Sequence, residues 1–151
     1  MRKILALILA LLFALLLASC TAKTASPAAE PNQWGVLLQV ENATSKGVTL
    51  VCSHTGGENV SELSTGSFFI LQKEDNGTWA DVDYASQEGD IAWTMESWLI
   101  PTEGTISWDI SWEWLYGELS AGRYRIGKEI MNFRGPGYSD TEMVYTEFTL
   151  K

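Results

Sequence analysis

Cys52 and His54 stand two residues apart in "CSHT", and a thiol beside an imidazole is the pairing of a nucleophile with its base. His54 is the only histidine, so any triad or zinc site must be built around it. On a strand the two share a face about 7 Å apart, too far for the hydrogen bond that activates a thiol. The expectation is therefore a strand-end histidine near solvent and an inert thiol. Carboxylates are more plentiful: Asp81, Asp83, Glu88 and Asp90 flank one turn, Asp140 and Glu142 another. Such oxygens bind calcium, but no EF-hand spacing is present, and Asp81 and Asp83 alternate with Val82 like the wet face of a strand. The pattern implies a solvated acidic face, with no metal, no cofactor and no catalytic residues.

The stretch "LYGELSAGRYRIGKE", Leu115 to Glu129, has three glycines and alternating cations, as a phosphate-cradling loop would. Such a loop leads into a helix whose first amides converge on the anion. The residues that follow here carry no helical apolar face. Leu119, Gly122 and Tyr124 instead form Leu-x-x-Gly-x-Tyr ahead of a strand, the pattern of a tyrosine corner, in which the hydroxyl bonds back to upstream backbone. Tryptophan is in excess, seven in all, and "WDISWEWLYG" spaces Trp108, Trp112, Trp114 and Tyr116 evenly. An extended chain puts all four on one face. If exposed, Trp112, Trp114 and Tyr116 make a platform for sugar rings, with Asp109 or Glu113 nearby for hydroxyls. Large aromatics are mostly buried, so core packing of most of this cluster is favoured.

Period-two alternation dominates the elements that must position these residues. "WGVLLQVEN", "GVTLVCSH", "SFFILQKE", "TWADVDY", "IAWTMESWLI", "TISWDIS", "RYRIGKEIMNF" and "EMVYTEFTL" are eight candidate strands. Asp75-Asn76-Gly77 joins two of them as a hairpin, and Gly135-Pro136-Gly137 precedes the last. The sum is all-β, an antiparallel sandwich of about 7 to 9 strands. Asn42, Asn59 and Asn76 match the glycosylation sequon and are expected to serve as turn residues.

The first residues belong to a different physical problem. "MRK" and the uncharged run Ile4 to Leu17 have the layout of an export signal, and 14 apolar residues are short for a span. The run ends in "LASC", which resembles a lipobox. That likeness implies a diacylglyceryl group on the Cys20 sulfur, cleavage before it and acylation of the new amino terminus, as by palmitate. Residues 1–19 are then a lipoprotein signal peptide, and 20–33 the lipidated Cys20 with a flexible tether. Residues 34–151 are one domain. Loss of Arg2 and Lys3 takes the net charge from −9 to −11, a balance unsuited to nucleic acid. Cys52 would be the sole remaining thiol, so the mature chain has no internal disulfide.

Across Trp34 to Leu150 the segments "WGVLLQVENATSKGVTLVCSHTGG", "WTMESWLI", "WEWLYGELSAGRYRIGKEI" and "FRGPGYSDTEMVYTEFTL" resemble the bacterial immunoglobulin-like domain of group 14. The resemblance implies an immunoglobulin-like β-sandwich on a secreted or lipid-anchored protein, and it brings no catalytic residues. In the register of disulfide-bearing immunoglobulin domains, Cys52 and Ile126 occupy the two cysteine positions, so Cys52 is expected in the core near Ile126. The functional expectation is a non-catalytic module held on the extracytoplasmic face of the cell membrane, for adhesion or protein interaction. The alternative is recognition of an envelope glycan through the aromatic platform.

Overall fold

The computed structural model describes residues 29–85 and 91–151; Cys20, Glu88 and Asp90 lie outside the described residues. In chain order the strands are β1 (Val36–Glu41), β2 (Gly47–His54), β3 (Leu63–Thr65), β4 (Phe69–Asp75), β5 (Thr78–Asp81), β6 (Trp98–Leu99) and β7 (Gly104–Ser111). A single helical turn, α1 (Glu113–Tyr116), then leads to β8 (Gly122–Gly135) and β9 (Tyr138–Leu150). One sheet runs β1-β2-β7, all antiparallel. The second is built on β8, which holds β9 along one edge and β4 followed by β3 along the other. β5 lies beyond β4, and β6 beyond β3.

Alternation decides which residues go inside. Val48, Leu50, Cys52 and His54 of β2 are buried, as are Tyr124, Ile126, Lys128 and Ile130 of β8. The two inward faces meet in one core with Val36 and Leu38 of β1, Leu71 of β4 and Phe148 of β9. Each fully buried aliphatic side chain there stabilises the fold by about 1.5–3 kcal/mol relative to exposure. Cys52 and Ile126 are both completely buried in this core.

All eight expected segments contain or overlap a strand, seven of them over most of their length. "IAWTMESWLI" differs: only Trp98 and Leu99 pair, and with β3 alone. Its alternating Ile91, Trp93 and Met95 find no ladder partner among the described residues, and Met95 is fully exposed. Trp93 instead packs edge-on against Phe68 and Phe69, at 5.2 and 5.3 Å between ring centroids. Asn42, Asn59 and Asn76 all have positive φ, between 50° and 54°, the conformation that asparagine tolerates in turns.

Candidate functional site

α1 decides the fate of the expected aromatic platform. The Trp112 carbonyl accepts from the amides of Leu115 and Tyr116, so the chain coils just where extended alternation would have continued. Trp112 and Tyr116 turn inward and are buried, whereas Trp114 points outward, 58% exposed. Trp112, Trp114 and Tyr116 therefore do not form one face. Trp112 stacks on Phe148 at 5.6 Å, Phe148 stacks on Tyr124 at 5.7 Å, and the Trp112 indole donates to the Ser45 carbonyl. The Tyr116 hydroxyl accepts from the Leu71 amide at 3.3 Å. Upstream of β8, Leu119 is buried, and the Tyr124 hydroxyl donates to the Ser120 carbonyl at 2.9 Å, four residues back. A Cβ on Gly122 would lie 3.3 Å from the Tyr124 ring, so glycine keeps that approach open.

His54 is buried, not near solvent, because β2 alternation carries it inward beside Cys52. Its Nδ1 lies 2.8 Å from the Pro101 carbonyl, and Nε2 has no partner among the described residues. Burial pushes the Cys52 thiol up to about 11, the reverse of what a nucleophile needs. Asp140 is held by Arg134 and Tyr138, and Glu142 accepts from Gln33. Among the described residues no three potential metal ligands converge.

The aromatic cluster with open space lies elsewhere. Along β7 the inward faces of the sheets do not close, and a cavity of about 190 Å³ opens between that strand and the segment 92–98. Trp93, Trp98, Trp108 and Trp114 wall it. Trp98 and Trp108 stack at 6.1 Å and 27°, while Trp93 meets Trp114 edge-on at 5.7 Å. Asp109 and Ser111 border it along the β7 edge, but alternation puts their side chains out of phase with Trp108, on the outer face of the β1-β2-β7 sheet, where Asp109 Oδ1 accepts from Thr49 at 2.8 Å. Trp108 carries a buried indole N–H with no acceptor among the described residues.

Lys128 contributes a cation to this wall. It is 1% exposed, with Nζ 5.1 Å from the centroid of the Trp98 ring. The chain leaves β8 between β3 and β4, and Lys128 Nζ donates there to the carbonyls of Gly66 and Phe68. Nearby, Thr65 Oγ1 donates to the Glu129 carbonyl at 2.7 Å. These side chains replace the missing ladder bonds, and burial pushes the Lys128 ammonium down to about 8.

A family model described as a bacterial Ig-like domain matches residues 32–149. The chain belongs to the bacterial Ig-like domain family. No curated protein and no solved structure matches it. Bacterial Ig-like domains are typically non-catalytic, which agrees with a site made of tryptophan faces and hydrogen-bonding groups rather than an activated nucleophile. Trp93 and Trp98 are not legible from even spacing, because they lie outside the regular run that starts at Trp108. Their signal was present as the aromatic content of a segment too irregular to be a strand.

Proposed function

We propose that this bacterial Ig-like domain is a non-catalytic binding module, tethered by lipid at Cys20 to the extracytoplasmic face of the membrane, and that it serves adhesion through the cleft along β7. The observation that carries the reading is the cleft itself: four tryptophans converge on open space, and the buried Trp108 indole N–H there has no acceptor among the described residues. Aromatic faces with a few polar groups are what ligand sites present. A second reading, docking of a protein partner, rests on the outer face of the larger sheet. There Arg125 lies between Trp79 and Tyr145, at 4.8 and 4.3 Å from their ring centroids. Tryptophan, tyrosine and arginine are the residue types that dominate interface energetics.

Full-length chain made in bacteria tests both parts. The wild type should take up labelled palmitate and sediment with membranes, and Cys20→Ser should do neither; an unlabelled, soluble wild type removes the anchor. Adhesion of chain-bearing cells to purified cell wall should drop with Trp114→Ala and persist with Trp79→Ala. The opposite pattern transfers the function to the outer sheet face.

A further inference from the structure

We propose that the free edge of β7 takes a basic peptide segment as an added antiparallel strand, with one apolar side chain of that segment seated in the tryptophan cleft. The proposal rests on the reading of the cleft as the ligand site and gives that ligand a chemical class. Hydrogen-bond phase carries the first step. On an edge strand every second residue points its N–H and C=O away from the sheet, unpaired. The Trp112 amide donates to the carbonyl of Lys46, directly opposite in register, so the hydrogen-bonded pairs toward β2 continue at Ile110, Trp108 and Ile106. The Thr55 amide, bonded to the Gly35 carbonyl, sets the same phase from the other side of β2. What faces outward from β7 is the N–H and C=O of Thr105, Ser107 and Asp109 and the N–H of Ser111, none with a backbone partner among the described residues. The Ser111 carbonyl accepts from the Trp114 indole at 3.0 Å, which closes the row at that end. Asp109 and Ser111 thus border the cleft with their backbones while their side chains lie on the outer face. β7 also lacks the devices that blunt an edge: it holds no lysine or proline, and its register with β2 is unbroken from Gly47↔Ser111 to His54↔Gly104.

A row of backbone donors and acceptors at the strand repeat is matched by another extended backbone. Every strand pair among the described residues is antiparallel. In that arrangement a residue opposite Trp108 or Ile110 sends its side chain to their face of the sheet, into the cleft. Tryptophan rings wall that space, and the Lys128 ammonium already lies against Trp98, so an apolar side chain suits it and a cation meets like charge. At about 190 Å³ the cavity lies below the roughly 300–1,000 Å³ of sites that enclose drug-sized ligands, so it holds one large side chain. Residues opposite Asp109 and Ser107 turn to the outer face instead, and charge selects them. Glu41, Thr49 and Asp109 form one row across that face, and none of β1, β2 and β7 contains lysine or arginine. Asp109 Oδ1 accepts from Thr49, and Oδ2 has no hydrogen bond or ion pair among the described residues. A lysine opposite Asp109 completes the row, as opposite charges do across strands. An acidic strand, or a second copy of a chain of net charge −9, meets like charge.

The test is tryptophan fluorescence of the full-length chain titrated with acetyl-Lys-Val-Lys-Phe-Lys-Val-Lys-amide, up to about 1 mM. With its phenylalanine opposite Trp108, the two inner lysines lie opposite Asp109 and Ser107 and turn their amides toward β7, while the valine amides face water. The expected result is a saturable change, weakened at least about tenfold by N-methylation of the two inner lysines and less than about threefold by N-methylation of the two valines. Glutamate in place of every lysine should weaken it at least about tenfold. Ser107→Pro should weaken the lysine peptide severalfold, because it removes a donor from the free edge and none from the ladder with β2, the position at which strands accept proline. No saturation, an equal response to the two N-methylated peptides, or equal binding of the glutamate peptide overturns the proposal. A dimer in sedimentation equilibrium that Ser107→Pro dissociates also overturns it and gives the edge to a second copy. If cell-wall adhesion falls in Trp114→Ala while the peptides do not bind, the cleft remains the ligand site and the strand assignment alone is wrong. If adhesion is also unaffected, the cleft reading fails with it.

Discussion

Two buried tyrosine hydroxyls bond to backbone on either side of one loop, and their surroundings make them unequal. β4 and β5 pair from Gln72↔Asp81 outward, and the Val82 amide makes one bond more, to the Leu71 carbonyl. β5 ends there, so the Leu71 amide has no strand to bond, and the Tyr116 hydroxyl supplies the acceptor inside the core. Tyr124 bonds the carbonyl of Ser120, a residue on the surface that water can reach. Removing a buried partner leaves the full desolvation cost, about 1–3 kcal/mol, whereas a solvated carbonyl recovers much of its loss. Tyr116→Phe should therefore lower stability by about 2 kcal/mol and Tyr124→Phe by about 1 kcal/mol, read as shifts of the urea midpoint at constant slope. Equal costs, or the reverse order, would show that the end of β5 is not closed in this way. The Leu-x-x-Gly-x-Tyr pattern made Tyr124 legible in the sequence. Tyr116 was not, because its role depends on where a neighbouring strand stops. Lys128 was legible in principle, since alternation puts it in phase with Tyr124, Ile126 and Ile130, and only its charge argued otherwise.

Among the elements, the long strands β2, β7, β8 and β9 declare themselves by period two, and the Asn76-Gly77 turn fixes the β4–β5 hairpin between them. β3, with three residues, is too short to show a period, and β6 forms only because β3 offers an edge. α1 is the element that alternation misreads. Four residues cannot hold a helix by propensity. This turn is held instead by burial of Leu115 and Tyr116 and by its exit through Gly117, whose φ of 71° and ψ of −158° fall in a region essentially reserved for glycine. The consequence is opposite environments for two tryptophans two residues apart: Trp112 is wholly buried and Trp114 more than half exposed. Acrylamide should therefore quench the full chain less strongly in Trp114→Phe than in the wild type, because a reachable emitter is gone. In Trp112→Phe the remaining emission should be quenched more strongly, because a shielded one is gone. Similar quenching in the two variants would restore an extended Trp112–Tyr116 segment and the platform it implies.

For the molecule as a whole, three buried titratable groups pull the pH dependence of stability in opposing directions. Burial lowers Lys128 from its ordinary 10.5 to about 8, and raises Cys52 from 9.0 to about 11 and Tyr116 from 10.0 to about 12. Stability rises with pH wherever the unfolded chain binds more protons than the folded one. For Lys128 that window is pH 8 to 10.5: below it both states are charged and the fold bears the cost of burying an ammonium; above it both are neutral. At about 1.4 kcal/mol per pH unit the gain is at most about 3 kcal/mol, reduced because the Gly66 and Phe68 carbonyls and the Trp98 face all favour the charged form. Cys52 acts the other way between 9 and 11, where only the unfolded thiol ionises, and Tyr116 follows between 10 and 12. Lys128 thus acts alone from 8 to 9, offsets Cys52 from 9 to 10, and above 10 the thiol and the phenol together bring stability down. Urea midpoints should accordingly peak at about pH 9–10, on the alkaline side of the usual optimum near 5–8. Lys128→Met should erase the rise between 8 and 9 even though it leaves two carbonyls without a donor and lowers stability at every pH. Cys52→Val should let the rise continue to about pH 10, where ionisation of the unfolded Tyr116 phenol begins to offset it. A wild-type midpoint that is flat from pH 7 to 9 would mean that the ammonium is solvated, and that Lys128 is no part of the cleft wall it shares with Trp98.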